Sequence, residues 1–299
     1  MSYHNPVLLH ESIDGLAIKE NGVYVDVTFG GGGHSKEILN RLGEEGKLFA
    51  FDQDPDALEN VIDDERFVLI PENFRYISRF LRFHGVRKVD GVLADLGVSS
   101  HQFDEAERGF SIRFEGDLDM RMNQKSKKSA KDIINTYSEE KLAEILFLYG
   151  ELGNSRKIAR TIVHERKNKS IETSFQLKEV LKMFLPKAKE HKILAQIFQA
   201  IRIEVNEELD VLKEFLEQIP NLLKEEGRLS VISYHSLEDR LVKRFIRTGL
   251  FEGEPEKDMF GNSNEPLKKV GKLIVPSKEE VKINNRARSA KLRIATLKN

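Results

Sequence analysis

The sequence predicts an α/β fold, a mostly parallel sheet interrupted by an all-helical insertion, on three observations. Between residues 23 and 95 short apolar runs alternate with helical stretches, as in a parallel sheet covered on both faces. From about 131 to 218 the apolar residues recur only at helical spacing,. Strand texture then returns at 228–234, RLSVISY. The expected division is 1–107 for the first part of the α/β domain, 108–205 for the helical insertion and 206–299 for the second part.

The elements follow in order. Residues 23–27 (VYVDV) read as the first strand, with a helix over 35–42. The second strand is 47–52 (KLFAFD), followed by a helix starting near Pro55, since proline suits a first helical turn. The third strand is 67–70, a helix covers 76–83, and VDGVLAD at 89–95 is the fourth strand. Residues 96–123, rich in Gly, Asp and Arg, read as loop. In the insertion, Leu142, Ile145, Leu146 and Tyr149 line one helical face. Leu177, Val180, Leu181 and Phe184 repeat the spacing before Pro186, and Ile193, Leu194, Ile197, Phe198 and Ile201 form a third stripe. Asn206 is placed to cap a helix carrying Leu209, Leu212, Phe215 and Leu216,. A helix over 237–246 follows the fifth strand, and 272–275 with 290–297 complete the sheet; 249–271 between them reads as a mobile loop.

Charge and composition narrow the function. Forty-eight basic residues face 49 acidic ones, a net charge of −1, so a nucleic-acid site must be a local patch. The absence of cysteine excludes disulfides, thiolate metal sites and cysteine nucleophiles, and suits a reducing cytoplasm. No HExxH pattern or acidic cluster points to a metal. The opening MSYHNPVLLHES lacks a basic stretch followed by an apolar core, and no apolar run reaches bilayer length,. The expectation is a cytoplasmic protein without a metal or a membrane partner.

TFGGGGHS at 28–35 sits where the first strand ends. Glycines there allow a tight turn and close approach of a ligand, with helix N-terminal amides aimed at it. Asp52 ends the second strand, about twenty residues on, where a carboxylate can accept both ribose hydroxyls of a nucleoside,. Ser35 and Lys36 stand where a dinucleotide fingerprint needs its third glycine, and no GK[ST] follows. A ligand with adenosine but no pyrophosphate fits better, and S-adenosylmethionine is one. Asp95 ends the fourth strand, next to the first in such a sheet, with Ser99, Ser100 and Gln102 following. These residues read as a floor aligning donor and acceptor, or as a strand end with a capping serine pair. Downstream, Phe110 and Phe114 interleave with Arg108, Arg113 and Arg121. That pattern can stack an unpaired base and hold phosphates, or form a minor core.

TFGGGGHS, FDQDPDA, ADLGVSSHQFDEAERGFS, DLDMRM, SYHSLEDRLVK and NNRARSAKLRI together resemble the bacterial small-subunit ribosomal RNA (cytidine N4)-methyltransferases, collinear from His4 to Ile294. The resemblance implies a class I, Rossmann-like methyltransferase domain with a helical insertion. It implies S-adenosyl-L-methionine as cofactor, and methylation of the exocyclic N4 of a decoding-region cytidine. The partner would be small-subunit ribosomal RNA or the assembled subunit. It also implies cofactor contacts at Gly32, Gly33, His34, Asp52, Phe74, Asp95 and Gln102. Gln196 and Ile197 depart from the Arg-Thr pair many members show, which removes any RNA contact resting on that arginine.

On this reading Asp95, or the Leu96 carbonyl, accepts from the reacting amine, and Ser99 and Ser100 shape the pocket. His235 in SYHSLEDR orients the base or takes up a proton, or is structural. Backbone phosphates would meet Arg121, Lys125, Lys127 and Lys128, the 166–169 run, and the late Arg286, Arg288, Lys291 and Arg293,. A nicotinamide oxidoreductase and a non-enzymatic RNA-binding assembly factor are the competing readings.

Overall fold

The computed structural model describes residues 6–256, 259 and 265–298, with the backbone alone at Ser100. His4 and Asn5 of the N-terminal motif, and 257, 258 and 260–264 of the expected loop, lie outside the described residues. The chain divides into two compact units, Met1–Gly97 with Leu209–Asn299, and Val98–Glu208.

The first unit opens with α1 (Leu9–Leu16), β1 (Val23–Asp26), α2 (Gly33–Arg41), β2 (Lys47–Phe51), β3 (Phe67–Ile70), α3 (Ile77–Phe83) and β4 (Val89–Asp95). The stretch from Pro55 is a 3-10 helix, Pro55–Asn60, rather than the α-helix expected. Asp54 caps it by accepting from the Asp56 N–H, and acids and asparagine crowd so short a segment.

The second unit holds α4 (Ser100–Asp104), α5 (Ala130–Thr136), α6 (Glu139–Leu148), α7 (Ser155–Glu165), α8 (Ser174–Val180) and α9 (Glu190–Asn206). Ile133, Ile145, Leu146, Ile158, Ile162, Leu177, Ile197 and Ile201 belong to its core. Val98 and Phe103 pack on that core, which is why this unit starts ten residues before the 108 drawn from composition. Ser100–Asp104 is also helical, where loop was expected. Asn206 does not cap a following helix: it ends α9, its amide donating to the Met120 and Arg202 carbonyls and its oxygen accepting from the Met122 N–H.

The chain returns through α10 (Glu208–Leu222), β5 (Leu223–Ser233), α11 (Ser236–Thr248), β6 (Leu267–Ile274), α12 (Lys278–Ile283) and β7 (Lys291–Leu297). The sheet order is β3-β2-β1-β4-β5-β7-β6. Strands β1 to β5 run parallel, and β7 lies antiparallel to both β5 and β6. This is the mostly parallel α/β sheet expected. Strand β6 occupies 267–271, read above as loop: LKKVGKLI is an edge strand whose lysines face solvent, so it lacks an apolar run,.

Alternation explains the burial on both faces. Val25, Phe49, Phe51, Val92 and Val231 pack with Ile77, Leu81, Phe215 and Phe245 on one face. Tyr24, Leu48, Ala50 and Leu93 pack with Ile13, Leu16 and Ile38 on the other. Each large side chain so buried contributes about 1.5–3 kcal/mol. Strand order reverses between β1 and β4, and ligands of open parallel sheets bind at the carboxyl ends beside such a point.

Candidate functional site

The loop after β1 is anchored from below. Asp26, fully buried, accepts from the Ser35 hydroxyl (2.7 Å) and the Thr28 N–H (3.1 Å). Burial pushes its carboxyl above the usual range. Gly32 caps α2 in the left-handed region (φ 74°), where glycine is favoured. A Cβ at Gly33 would stand 2.3 Å from Pro6 Cγ, and one at Gly32 3.0 Å from the Phe29 ring. At these two positions the bare main chain also answers to the protein's own Pro6 and Phe29.

Asp52 follows β2. Its Oδ2 accepts from the Gly30 N–H (2.8 Å) and its Oδ1 from the Asp54 N–H (2.9 Å). The carboxylate is thereby fixed beside the glycine loop, and each oxygen keeps a lone pair for a further donor. Burial raises its pKa to about 6 against the opposing pull of those two N–H groups. Beyond β3, Asn73 donates to Gln53 Oε1 (2.8 Å), and half-buried Phe74 meets Phe215 edge-on at 5.3 Å. A carboxylate with spare lone pairs and an aromatic ring therefore stand beyond the ends of adjacent strands, an arrangement that suits a nucleoside.

Asp95, at the end of β4, is tied to β1 by its N–H, which donates to Thr28 Oγ1 (2.7 Å). Two side chains address its carboxylate: the Tyr234 hydroxyl donates to Oδ1 at 2.7 Å, and His34 Nδ1 lies 3.7 Å from Oδ2. His34 Nε2 is 3.1 Å from the Val7 carbonyl, an acceptor only, so Nε2 carries a proton, and the Nδ1 edge, which pairs with a carboxylate when it too is protonated, faces Asp95. Burial lifts the Asp95 pKa to about 6, with His34 and Tyr234 pulling the other way; Tyr234 itself is pushed well above the ordinary tyrosine value by its own burial. The residue-by-residue reading missed Tyr234. It lay in the quoted SYHSLEDR, at the end of the strand next to β4, and that position was the available signal.

His235 is a cap. Its Nδ1 accepts from the Glu238 N–H in a capping box that opens α11, and its Nε2 stands 3.1 Å from Glu238 Oε1. The expected RNA contact there is corrected: the imidazole is 9% exposed and committed to its own helix.

Ser99 and Gln102 form another capping box. Ser99 Oγ accepts from the Gln102 N–H (3.2 Å), and Gln102 Oε1 accepts from the Ser99 N–H (3.0 Å). Ser100 is the first residue of α4. Arg108 and Phe110 need correction too. Both are buried, the guanidinium lying 5.8 Å from the ring and donating to the Arg121 and Met122 carbonyls. Phe110 therefore serves the insertion's core and is closed to a base. Arg121 is held by Asp119 (2.6 Å), Lys128 by Tyr137 and Glu204, Arg166 by the Ile134 and Tyr137 carbonyls, and Arg293 by Asp239. Arg113, Lys125 and Lys127 are exposed in the second unit; in the first, Arg288 is exposed and Arg286 half-buried in a 3-10 turn, Asn285–Ser289. Ile197 is buried and Gln196 donates to the Gly150 carbonyl (3.0 Å), so this pair does packing work.

Comparison with known proteins agrees with this arrangement. The model of the MraW methylase family matches residues 1–298. The chain is 70% identical over 295 residues to "Ribosomal RNA small subunit methyltransferase H" of Christiangramia forsetii, covering 99% of this chain and 98% of that one. Proteins of the same name from Flavobacterium johnsoniae and Cytophaga hutchinsonii are 68% and 59% identical, each over 295 residues, covering 99% and 98% of this chain and 98% and 99% of theirs. With sheet order, glycine loop and paired acids in place, the chain belongs to the MraW methylase family.

Proposed function

We propose that this protein transfers a methyl group from S-adenosylmethionine to the exocyclic N4 of a cytidine in the decoding region of small-subunit ribosomal RNA. The observation that carries the reading is the full-length identity with proteins named as small-subunit ribosomal RNA methyltransferases. Asp52 would hold the ribose hydroxyls, Phe74 would flank the adenine, and the main chain from Gly30 to Gly32 would lie along the donor. When bound, S-adenosylmethionine supplies an electrophilic methyl group on a sulfonium.

The protein's own task is the acceptor. A cytosine amine is a weak nucleophile because its lone pair is delocalised into the ring, so alignment matters most, and positioning two reactants is worth about 7–11 kcal/mol in favourable cases. Asp95, fixed by Thr28 and Tyr234 with the His34 ring beside it, accepts an N–H of the amine and takes its proton as the nitrogen becomes tetrahedral. A carboxylate titrating at about 6 is ionised at neutral pH yet more basic than an exposed one. The cytidine leaves its stack to reach this acid. No helix among the described residues is long and apolar enough to cross a membrane, and the cytoplasm, where small subunits are assembled, is the compartment this reading implies.

The test is transfer of labelled methyl from S-adenosylmethionine to small subunits, or to free RNA, lacking the modification, followed by nucleoside analysis. Label in N4-methylcytidine is expected. Label on a ring carbon or a ribose, with none on the amine, refutes the specificity.

A further inference from the structure

The first unit carries a cleft at the opposite end of the sheet from Asp52 and Asp95. It has a volume of about 1040 Å³ and is bounded by the C-terminus of α1, the start of β5, the end of α11 and strands β6 and β7. Tyr24 and Asp90 on its wall are the second residues of β1 and β4, and Arg228 of β5 lies opposite Gly91 of β4.

Its charge is unbalanced. Asp90 is held by Lys224 at 2.7 Å, Glu265 by Lys298 at 2.5 Å, and Glu226 lies 4.0 Å from Lys19. Arg228, Lys243, Arg247, Lys268, Lys269 and Lys272 line the same cleft with no ion-pair partner among the described residues. Arg228 is half-buried, and its Nε is buried without a hydrogen-bond partner. Register sets Arg228 and Lys268 in one row across three strands, each opposite Thr296. Lysines alone on β6 would be explained as guards of an edge strand. That explanation leaves out Lys243 and Arg247 on α11 and Arg228 on the interior strand β5.

We propose that this cleft and the β6 edge bind the phosphate backbone of the RNA substrate, at a site separate from the donor site. The inference rests on the RNA substrate proposed above. Guanidinium and ammonium groups without internal acceptors match phosphate oxygens. Strand β6 is antiparallel to β7, which is antiparallel to β5, so β6 runs from the cleft toward the carboxyl ends of the parallel strands. Its eight residues span about 26 Å at about 3.3 Å per residue, which lets one RNA strand follow the edge from the cleft toward the chemistry.

The test uses the full-length protein with Lys268→Glu, Lys269→Glu and Lys272→Glu combined, and separately Lys243→Glu with Arg247→Glu, all at exposed positions. Affinity for a fluorescein-labelled single-stranded RNA of decoding-region sequence is measured against salt, and S-adenosylhomocysteine binding serves as the folding check. Expected are an affinity loss of about tenfold or more for the triple variant and a log–log salt slope shallower by about 2, from about 0.7 per single-strand phosphate contact. S-adenosylhomocysteine binding stays at the native value. RNA affinity and slope within twofold of native in both variants overturn the proposal, as does equal weakening of S-adenosylhomocysteine binding. Failure of the native protein to methylate small subunits would instead defeat the proposed function, so the two failures are distinguishable.

Discussion

Tyr234→Phe isolates what the tyrosine hydroxyl does for Asp95. The ring stays, so its packing on Gly97, where a Cβ would meet Tyr234 Cδ2 at 3.3 Å, is kept. Only the 2.7 Å donation to Asp95 Oδ1 is lost. A hydrogen bond to a charged acceptor contributes about 1.5–3 kcal/mol. At about 1.36 kcal/mol per pH unit, its loss raises the carboxyl's titration by about one to two units. The native carboxyl titrates at about 6 and is mostly ionised at pH 7. In the variant it is half to nine-tenths protonated there, so the rate at pH 7 falls about two- to tenfold. The assay is single-turnover methyl transfer at saturating donor and RNA, from about pH 5 to about pH 9. The acid limb should move up by one to two units, and the rate should recover toward native at the alkaline end. A limb that stays in place, or a loss that persists at high pH, refutes the idea that Tyr234 acts by tuning Asp95.

Other outcomes follow from the same geometry. The raised Asp52 carboxyl protonates as pH falls through about 6 and then cannot accept from two hydroxyls. Calorimetry should show S-adenosylhomocysteine affinity weakening by up to tenfold per pH unit below that point, and constant affinity to pH 5 contradicts it. Gly33→Ala places a methyl 2.3 Å from Pro6 Cγ and should cost about 1–3 kcal/mol, lowering Tm measurably; an unchanged Tm shows that the segment at Pro6 yields freely. Arg108→Ala strips the Arg121 and Met122 carbonyls of their donor and should destabilise the protein by about 2–4 kcal/mol in thermal unfolding; RNA affinity lost with unfolding unchanged would restore an RNA role. Lys125→Glu with Lys127→Glu should weaken RNA binding and spare S-adenosylhomocysteine, whereas unchanged RNA binding marks that run as plain surface.

The sheet was legible because its parallel strands are short continuous apolar runs: edge strand β3 and interior strand β4 match their expected bounds residue for residue. Strand β6 was not, because an edge strand with solvent-facing lysines carries no such run. Asp52 and Asp95 were legible as acids at strand ends, a position that topology alone turns toward the ligand side. For Arg108 and Phe110 the sequence left a base-stacking site and a minor core open, and the structure takes the core, because a guanidinium beside an aromatic ring looks alike in sequence whether it meets a base or two backbone carbonyls. For His235 the structural alternative is the one found: Glu238, three residues on, completes its capping box. The role of Pro6 against Gly33 was out of reach, since nothing local pairs residues 27 apart.

Titration calorimetry of S-adenosylhomocysteine into the native protein and into Asp52→Ala tests the donor site most directly. Saturable one-to-one binding to the native chain, weakened at least tenfold in the variant, is the expected result. No heat with the native protein, or equal affinity in both, would contradict the placement of the donor beside β1 and β2.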